Sequence, residues 1–179
     1  MTAEVLVIAL IRIAGSLLVL RWPLAGGILA VLVDLSDLLL MNVLDLGGVP
    51  DYQRLDKVLD LVYMGAFLAV TLRWTGPDRW VGVGLFAYRM VGVVAFELTG
   101  DRTLMLLFPN VFETWFLLVA LLHHWRDPVP WTPGRLAVAG VGALAVKELQ
   151  EWAIHGAQLF DEITALEAID RAWQWLTGR

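Results

Sequence analysis

Residues 3–20 read AEVLVIALIRIAGSLLVL, an apolar stretch of membrane-helix length with one arginine, Arg12, near its centre. A transmembrane α-helix needs about 20 mostly apolar residues. Met1 to Glu4 lack the basic region of a signal peptide, so we expect this stretch to stay in the protein as its first membrane helix. Arg12 must then find a partner or water, because an ionised group at the helix centre costs about 2.5 to 3.5 kcal/mol.

The rest of the 179-residue chain shares this apolar character. Hydrophobic residues make up 59% of it, charged residues make up 17%, and the mean hydropathy is +0.69. A soluble domain has about 45 to 50% apolar and about 25% charged residues, so the composition predicts an integral membrane protein. Six membrane helices with short loops would use most of the length, which leaves no room for a separate soluble catalytic domain.

Apolar segments bounded by Pro, Gly and charged residues predict an all-α integral membrane protein with about six transmembrane helices. The predicted spans are 3–20, 24–44, 57–74, 80–98, 103–125 and 135–152. Together they form one transmembrane domain over residues 1–155. The longest loop between them is predicted from Asp45 to Arg54, where glycines and a proline interrupt the apolar pattern.

Residues 156–179 have the pattern of an amphipathic helix that lies on a surface. One face carries apolar residues at spacings of three and four, and the opposite face is acidic. The acidic residues are Asp161, Glu162, Glu167 and Asp170. Because anionic lipid would repel this face, we expect the helix to dock on its own bundle, on a partner protein or on a second copy of the chain.

The two sides of the predicted bundle differ in charge. Side A holds the N-terminus, and side B is opposite. Side B has five arginines against four basic residues on side A, namely Arg21, Arg73, Arg79, Arg126 and Arg135 against Arg54, Lys57, Arg102 and Lys147. This excess favours side B in the cytoplasm, with both termini outside a cell membrane. Tryptophan rings, which suit the headgroup boundary, also mark side B: Trp22, Trp74, Trp80, Trp125 and Trp131.

Several functional classes are disfavoured by what the sequence lacks. Without cysteine there can be no disulfide, no thiolate nucleophile and no Cys-ligated metal site. The net charge of −5 and the lack of a basic cluster argue against a nucleic acid partner. Motifs of common membrane enzymes, such as Gly-x-Ser-x-Gly and His-Glu-x-x-His, are missing, so we do not expect a familiar enzyme mechanism.

Polar side chains inside the spans identify a candidate site. Counting about 1.5 Å per residue along alternating helices puts some of them near mid-membrane and the others in the A half. The candidate residues are Arg12, Asp34, Asp37, Asp60, Arg89, Asn110, Glu113, Glu148 and Glu151. Because the B half is almost purely apolar, they predict a polar, acidic cavity that opens toward side A and binds a cation, a proton or a small polar molecule.

Two ion pairs are predicted within this set: Arg12 with Asp34 or Asp37, and Arg89 with Glu113. Buried pairs of this kind can serve only to fix helix packing. Acids outnumber bases in the set, however, so some of the carboxylates must be protonated, hydrated or bound to a cation. The whole set therefore favours a binding role over a purely structural one.

Glu148, Glu151 and His155 follow one another at i, i+3 and i+7 and could ligate a divalent metal such as iron, manganese or zinc. The signature of di-iron bundles is Glu-x-x-His, whereas Glu151 and His155 are four residues apart. The alternative interpretation is a helix end at the membrane interface, with Lys147 paired to Glu151.

Pro109 lies inside the fifth predicted span, where it removes a hydrogen bond and frees carbonyl groups around Leu106. Asn110 beside it offers an amide, so a kink that lines the cavity is one interpretation and a simple bend is the other. His123 and His124 are adjacent, which points their rings about 100° apart, and we interpret both as interfacial residues on side B.

Three functions remain open from the sequence. The first is binding or transport of a cation, proton or small polar molecule, with Asp34, Asp37 and Glu113 binding or titrating. The second is a membrane enzyme that acts on a lipid or other amphiphile, with Glu113, Glu148 or Glu151 as acid, base or metal ligand. The third is an accessory subunit that docks a partner through its C-terminal helix.

Overall fold

The computed structural model describes residues 3–35, 52–101 and 103–151, together with residue 174. All regular structure within these ranges is helical, so the all-α prediction is confirmed for the described part of the chain. The helices are α1 (Ala3–Leu18), α2 (Pro23–Leu35), α3 (Tyr52–Thr71), α4 (Gly76–Thr99), α5 (Thr103–Leu107), α6 (Val111–Trp125) and α7 (Pro133–Glu151).

Some of the predictions fall on residues that lie outside this description. They concern Asp37, the side chain of Glu151, His155 and, apart from Gln174, the amphipathic helix over 156–179. The candidate site is therefore assessed on its other members.

Helix α4, with 24 residues, is the one described helix that is both long enough and apolar enough to cross a membrane. Val5–Leu18, Pro23–Asp34 and Val111–Trp125 are apolar but shorter. Length and composition thus support one membrane span among the described residues, and the arrangement of six spans stays a prediction.

Helix α6 is the centre of the described bundle. It packs against α2, α3, α4 and α7, while α1 and α2 form a hairpin whose turn runs over 19–22. Aromatic rings stack along the interface of α3 and α6: the centroids of Phe67 and Phe116 are 4.0 Å apart, and Trp74 lies 5.2 Å from Phe116. Phe67 and Phe116 lie between the two ends of the bundle, which we call end A and end B after the sides defined above, and Trp74 stacks on His123 at end B.

The predicted span over 103–125 is divided in the structure. Helices α5 and α6 replace it, with Pro109 in the gap between them. Proline has no N–H and disfavours helical geometry in the residue before it, so the chain breaks here instead of bending. Gly92 of α4 makes room for the break, because a Cβ atom at this position would collide with the Phe108 side chain.

Helix α3 begins at Tyr52, inside the segment 45–54 that was predicted to be a loop. The earlier start places Asp56 in the helix, four residues before Asp60. Residues at this spacing lie on the same helix face, so the two carboxylates point in one direction.

The turn between α4 and α5 is short and closed by hydrogen bonds. Gly100 adopts the left-handed conformation, with φ of 71°, and its N–H donates to the Phe96 carbonyl at 2.7 Å. The Thr103 N–H donates to Asp101 Oδ1 at 2.9 Å. Hydrogen bonds from the backbone and side chain of Thr103 hold the pKa of the exposed Asp101 carboxyl below its usual value.

Polar and apolar side chains are distributed in an unusual way. Within the described ranges, seven buried residues are polar or charged: Arg12, Ser16, Thr71, Asp78, Asn110, Glu113 and Lys147. Large apolar side chains are exposed on the outer faces of the helices, as with Leu10 of α1, Leu98 of α4 and Val138 of α7. In soluble proteins ionised residues are almost never fully buried unless they are paired, and a large exposed apolar patch marks a contact surface.

Candidate functional site

Arg12 is buried in α1 and binds three carboxylates in the described part of the chain. Its Nη1 lies 2.8 Å from Asp56 Oδ1, and its Nη2 lies 2.7 Å from Asp60 Oδ1. The same Nη2 also donates to Asp34 of α2, so the predicted pair of Arg12 and Asp34 is present. We call these four residues, Arg12, Asp34, Asp56 and Asp60, the aspartate cluster.

Local geometry explains why the aspartate cluster forms. Asp56 and Asp60 are one helical turn apart on α3, and Asp34 lies at the end of α2. On α1, Ser16 Oγ donates to the Arg12 carbonyl at 2.6 Å, which satisfies the hydroxyl without using the guanidinium. The planar guanidinium carries five donors in a fixed fork, so one arginine can bind carboxylates from two neighbouring helices.

The aspartate cluster contains more negative than positive charge. Three carboxylates face one guanidinium, and each of them offers an oxygen within 4.8 Å of the others. Like charges at this separation repel, so binding of a proton or a cation is favoured. Their side chains remain 27%, 37% and 34% exposed for Asp34, Asp56 and Asp60, so the carboxylates are accessible while Arg12 is not.

A second polar group surrounds Glu113 at the start of α6. Tyr63 Oη donates to Glu113 Oε2 at 2.9 Å, and Asn110 Nδ2 donates to Tyr63 Oη at 2.8 Å. Lys147 Nζ of α7 lies 3.7 Å from Glu113 Oε1. We call these four buried residues, Tyr63, Asn110, Glu113 and Lys147, the Glu113 cluster. It contains one carboxylate and one ammonium group and is balanced in charge.

The aspartate cluster and the Glu113 cluster meet on α3. Asp60 belongs to the first and Tyr63 to the second, and residues three apart lie on the same helix face. Polar side chains therefore run from Arg12 on α1, through α3, to Glu113 on α6 and Lys147 on α7. Of the predicted site residues, the structure brings Arg12, Asp34, Asp60, Asn110 and Glu113 into this arrangement.

Arg89 has a different partner from the one predicted. Its Nη1 donates to the Phe108 carbonyl at 2.7 Å, and the adjacent Tyr88 hydroxyl donates to the Leu107 carbonyl. Both carbonyls are freed by the break at Pro109. Among the described contacts, Glu113 is held by the Glu113 cluster and not by Arg89, which corrects the predicted pair.

The exposure of Lys147 and Glu148 is the reverse of what the sequence predicts. Lys147 is buried against Glu113, which does not fit the alternative interpretation of a helix end at the membrane interface, whereas the candidate residue Glu148 is exposed on α7. Burial of the long apolar stem of lysine, with its ammonium beside a carboxylate, accounts for the difference. Glu151 and His155 lie outside the described side chains, so a metal site with Glu148 stays a prediction.

End B also contains a buried carboxylate, where the sequence predicted a nearly apolar region. Asp78, in the first turn of α4, lies with its Oδ2 2.9 Å from His123 Nε2 and its Oδ1 in a hydrogen bond from Trp131 Nε1. We call these three residues the Asp78 cluster. The Trp115 indole N–H donates to the Asp78 carbonyl at 3.3 Å. His123 is thus partly buried, with its side chain 18% exposed, and its place at the membrane interface stays a prediction.

Sequence reasoning missed two of these carboxylates for different reasons. Asp56 was placed between a predicted loop and a predicted span, although its spacing of four from Asp60 is a helical signal. Asp78 falls in the short connection between the predicted spans 57–74 and 80–98, although Pro77 and an acidic residue beside it are both typical of the first turn of a helix.

Comparisons with protein-family models, with curated proteins and with solved structures give no match for this chain.

Proposed function

We propose that the chain is a multi-pass membrane protein whose described helices lie in the bilayer. The main support is the exposure of large apolar side chains, such as Leu10, Leu98 and Val138, on helices whose interior holds charged residues. Apolar outward faces gain nothing in water but are matched by lipid tails, while polar groups inside a bundle can satisfy one another. Exposed tryptophans at end B, including Trp22 and Trp125, suit a headgroup boundary.

The proposed orientation places end B in the cytoplasm and both termini outside. The chain has no cysteine, so single introduced cysteines can report on each side without background. Arg21→Cys and Thr132→Cys at end B should react with a membrane-impermeant maleimide only after the cells are opened. Thr99→Cys at end A should react in intact cells. The reverse pattern would invert the orientation, and full release of the protein by carbonate washing would reject the membrane assignment.

Within this membrane protein, we propose that the aspartate cluster binds and releases a proton or a cation as a step in transport. The observation that carries the proposal is the charge of the cluster, with three partly exposed carboxylates around one buried guanidinium. A purely structural ion pair needs one carboxylate. The two additional carboxylates carry a cost in repulsion that a bound proton or cation removes.

The Glu113 cluster lies next along the proposed path of the proton or cation. Tyr63 is one helical turn beyond Asp60 and hydrogen bonds to Glu113, whose second oxygen lies beside Lys147. The Tyr63 hydroxyl accepts from Asn110 Nδ2 and donates to Glu113, so it extends the polar face of α3 from Asp60 toward Glu113. The direction of transfer therefore follows α3 inward from the aspartate cluster.

Reconstituted vesicles test this proposal directly. The protein is placed in liposomes that contain a pH-sensitive dye, and a potassium or sodium gradient is applied with and without a proton gradient. We expect the dye to respond in vesicles that contain the unmodified protein. The double variant Asp56→Asn/Asp60→Asn should abolish this response, because it removes both carboxylates that α3 contributes to the cluster.

Glu97→Gln is the matched control for this experiment. Glu97 is also an acidic residue at end A and forms an ion pair with Lys57 at 2.6 Å, but both side chains are about half exposed and belong to neither cluster. Its neutralisation should leave the dye response unchanged. Wild-type flux in the double aspartate variant, or no flux above empty vesicles in the unmodified protein, would reject a transport role for the cluster.

A further inference from the structure

A groove of about 560 Å³ opens at end B between the end of α6 and the start of α7. Its walls are mainly apolar and include Leu118 and Leu122 of α6 and Val138 of α7. Trp125, which is 79% exposed, stands at its edge. The volume falls within the range of roughly 300 to 1,000 Å³ that is typical of small-molecule sites. A groove of this kind is suited to a hydrocarbon chain.

Among the residues that the structure describes, two arginines and no carboxylate line this groove. They are Arg126, which follows α6, and Arg135, in the first turn of α7. Arg135 Nη1 donates to the Pro130 carbonyl at 2.9 Å, which fixes the guanidinium at the groove. Asp127, next to Arg126 in sequence, instead lies with its Oδ1 3.2 Å from His123 Nδ1. The groove therefore carries positive charge.

The groove lies between two helix ends of opposite partial charge, the C-terminal end of α6 and the N-terminal end of α7, so its net positive charge comes from the two arginines. The N-terminus of a helix carries a partial positive charge, and Gly134 of α7 also lines the groove. An arginine fork beside a helix N-terminus is a favourable environment for a phosphate group. The groove thus combines apolar walls with a cationic end, which is the complement of an anionic lipid.

We propose that this groove binds one anionic phospholipid, with its phosphate at Arg126 and Arg135 and an acyl chain along Leu118, Leu122 and Val138. The site rests on the membrane placement proposed above, but not on proton or cation binding by the aspartate cluster. It gives the loop between α6 and α7 a lipid partner, and it adds attraction between end B and an anionic leaflet.

Native mass spectrometry of the detergent-purified protein tests the proposal. The protein is stripped of lipid and titrated with phosphatidylglycerol or phosphatidylcholine of identical acyl chains. We expect retention of one phosphatidylglycerol at concentrations where phosphatidylcholine is not retained. Arg126→Gln/Arg135→Gln should weaken phosphatidylglycerol binding by about tenfold. Arg21→Gln, an exposed arginine at end B outside the groove, should leave it unchanged.

A second variant tests the acyl-chain part of the groove without altering charge. Val138→Trp fills the groove from an exposed position and should also abolish phosphatidylglycerol binding. Equal retention of the two lipids, or equal weakening by Arg21→Gln, would overturn the proposal. So would a lipid-free dimer that Val138→Trp dissociates, since a second copy would then be the occupant. Flux through the aspartate cluster is measured separately, so either proposal can fail while the other stands.

Discussion

The aspartate cluster at end A and the Asp78 cluster at end B both hold carboxylates in the bundle, yet they differ in charge and exposure. Asp78 is one carboxylate, its side chain is 6% exposed, and His123 and Trp131 bind its two oxygens. Asp34, Asp56 and Asp60 share one guanidinium and stay 27% to 37% exposed. The Asp78 cluster is satisfied by its own neighbours, whereas the aspartate cluster is the site that we propose for a proton or a cation.

This difference separates a structural role from a binding role. A buried carboxylate whose oxygens are both bonded has nothing further to gain from a ligand, and removing its charge costs stability. A carboxylate that shares its cation with two others is under repulsion, so neutralising it can leave stability intact while removing a binding group. Variants in the two clusters should therefore respond in opposite ways.

The largest expected effect is that of Arg12→Met. It leaves three carboxylates in the bundle without their shared guanidinium, so the free energy of unfolding should fall by about 3 to 5 kcal/mol. Denaturation in detergent micelles measures this change. Arg73→Gln, which removes an exposed guanidinium bonded only to the Leu20 carbonyl in the described contacts, should cost less than about 1 kcal/mol. Equal losses for the two variants would show that Arg12 is not the centre of the aspartate cluster.

Glu113→Gln tests the Glu113 cluster, which is buried and contains equal numbers of positive and negative groups. The variant leaves Lys147 beside a neutral amide and weakens the bond from Tyr63, so the free energy of unfolding should fall by about 2 to 3 kcal/mol. The pair of Lys57 and Glu97 is closer, at 2.6 Å, but exposed, and Glu97→Gln should cost less than about 1 kcal/mol. If the exposed pair proved the more costly to break, burial would not explain the role of Glu113.

Asp78→Asn measures the structural cluster at end B. The amide keeps one acceptor oxygen for Trp131 and presents an NH2 group to His123, so a charged acceptor is replaced by a neutral and weaker partner. We expect a fall of about 1 to 2 kcal/mol in the free energy of unfolding and no change in cation or proton flux. Loss of flux without loss of stability would place Asp78 in the transport path.

Asp60→Asn should have the smallest effect on stability and one of the largest on binding. Relief of repulsion from Asp34 and Asp56 offsets the weakened bond to Arg12, so the free energy of unfolding should change by less than about 1 kcal/mol. Flux in reconstituted vesicles should fall strongly. A destabilisation as large as that of Asp78→Asn, with flux retained, would remove the distinction between the two clusters.

The helices could be predicted from the sequence because apolar segments and their boundaries depend on local information. The predicted starts near 3, 24, 80 and 135 lie close to those of α1, α2, α4 and α7. Depth counting also brought Arg12 and Asp34 together, since two helices joined by a short turn must run antiparallel. The break at Pro109 was expected as a kink or bend, since proline removes one hydrogen bond regardless of its surroundings.

The partners of the other charged residues could not be predicted in this way. Whether Arg89 reaches Glu113 or the Phe108 carbonyl depends on the rotation of α4 about its axis, which hydrophobic periodicity does not fix when both faces are apolar. Glu151 has the opposite charge to Lys147 and lies one turn away in sequence. The sequence therefore favours this local pair over the tertiary contact with Glu113. A long side chain can reach partners on more than one neighbouring helix, and the packing of the helices determines which partner it contacts.

The break between α5 and α6 has a consequence for the history of this chain. Pro109 frees the carbonyls of Leu107 and Phe108, and the side chains of Tyr88 and Arg89 occupy them. If a helix-forming residue replaced Pro109 in a descendant, the two carbonyls would accept hydrogen bonds within a continuous helix, and the partly buried Arg89 would lose its partner. We therefore expect Pro109, Tyr88 and Arg89 to be inherited together. A related chain that lacks one of these three residues should also lack the other two.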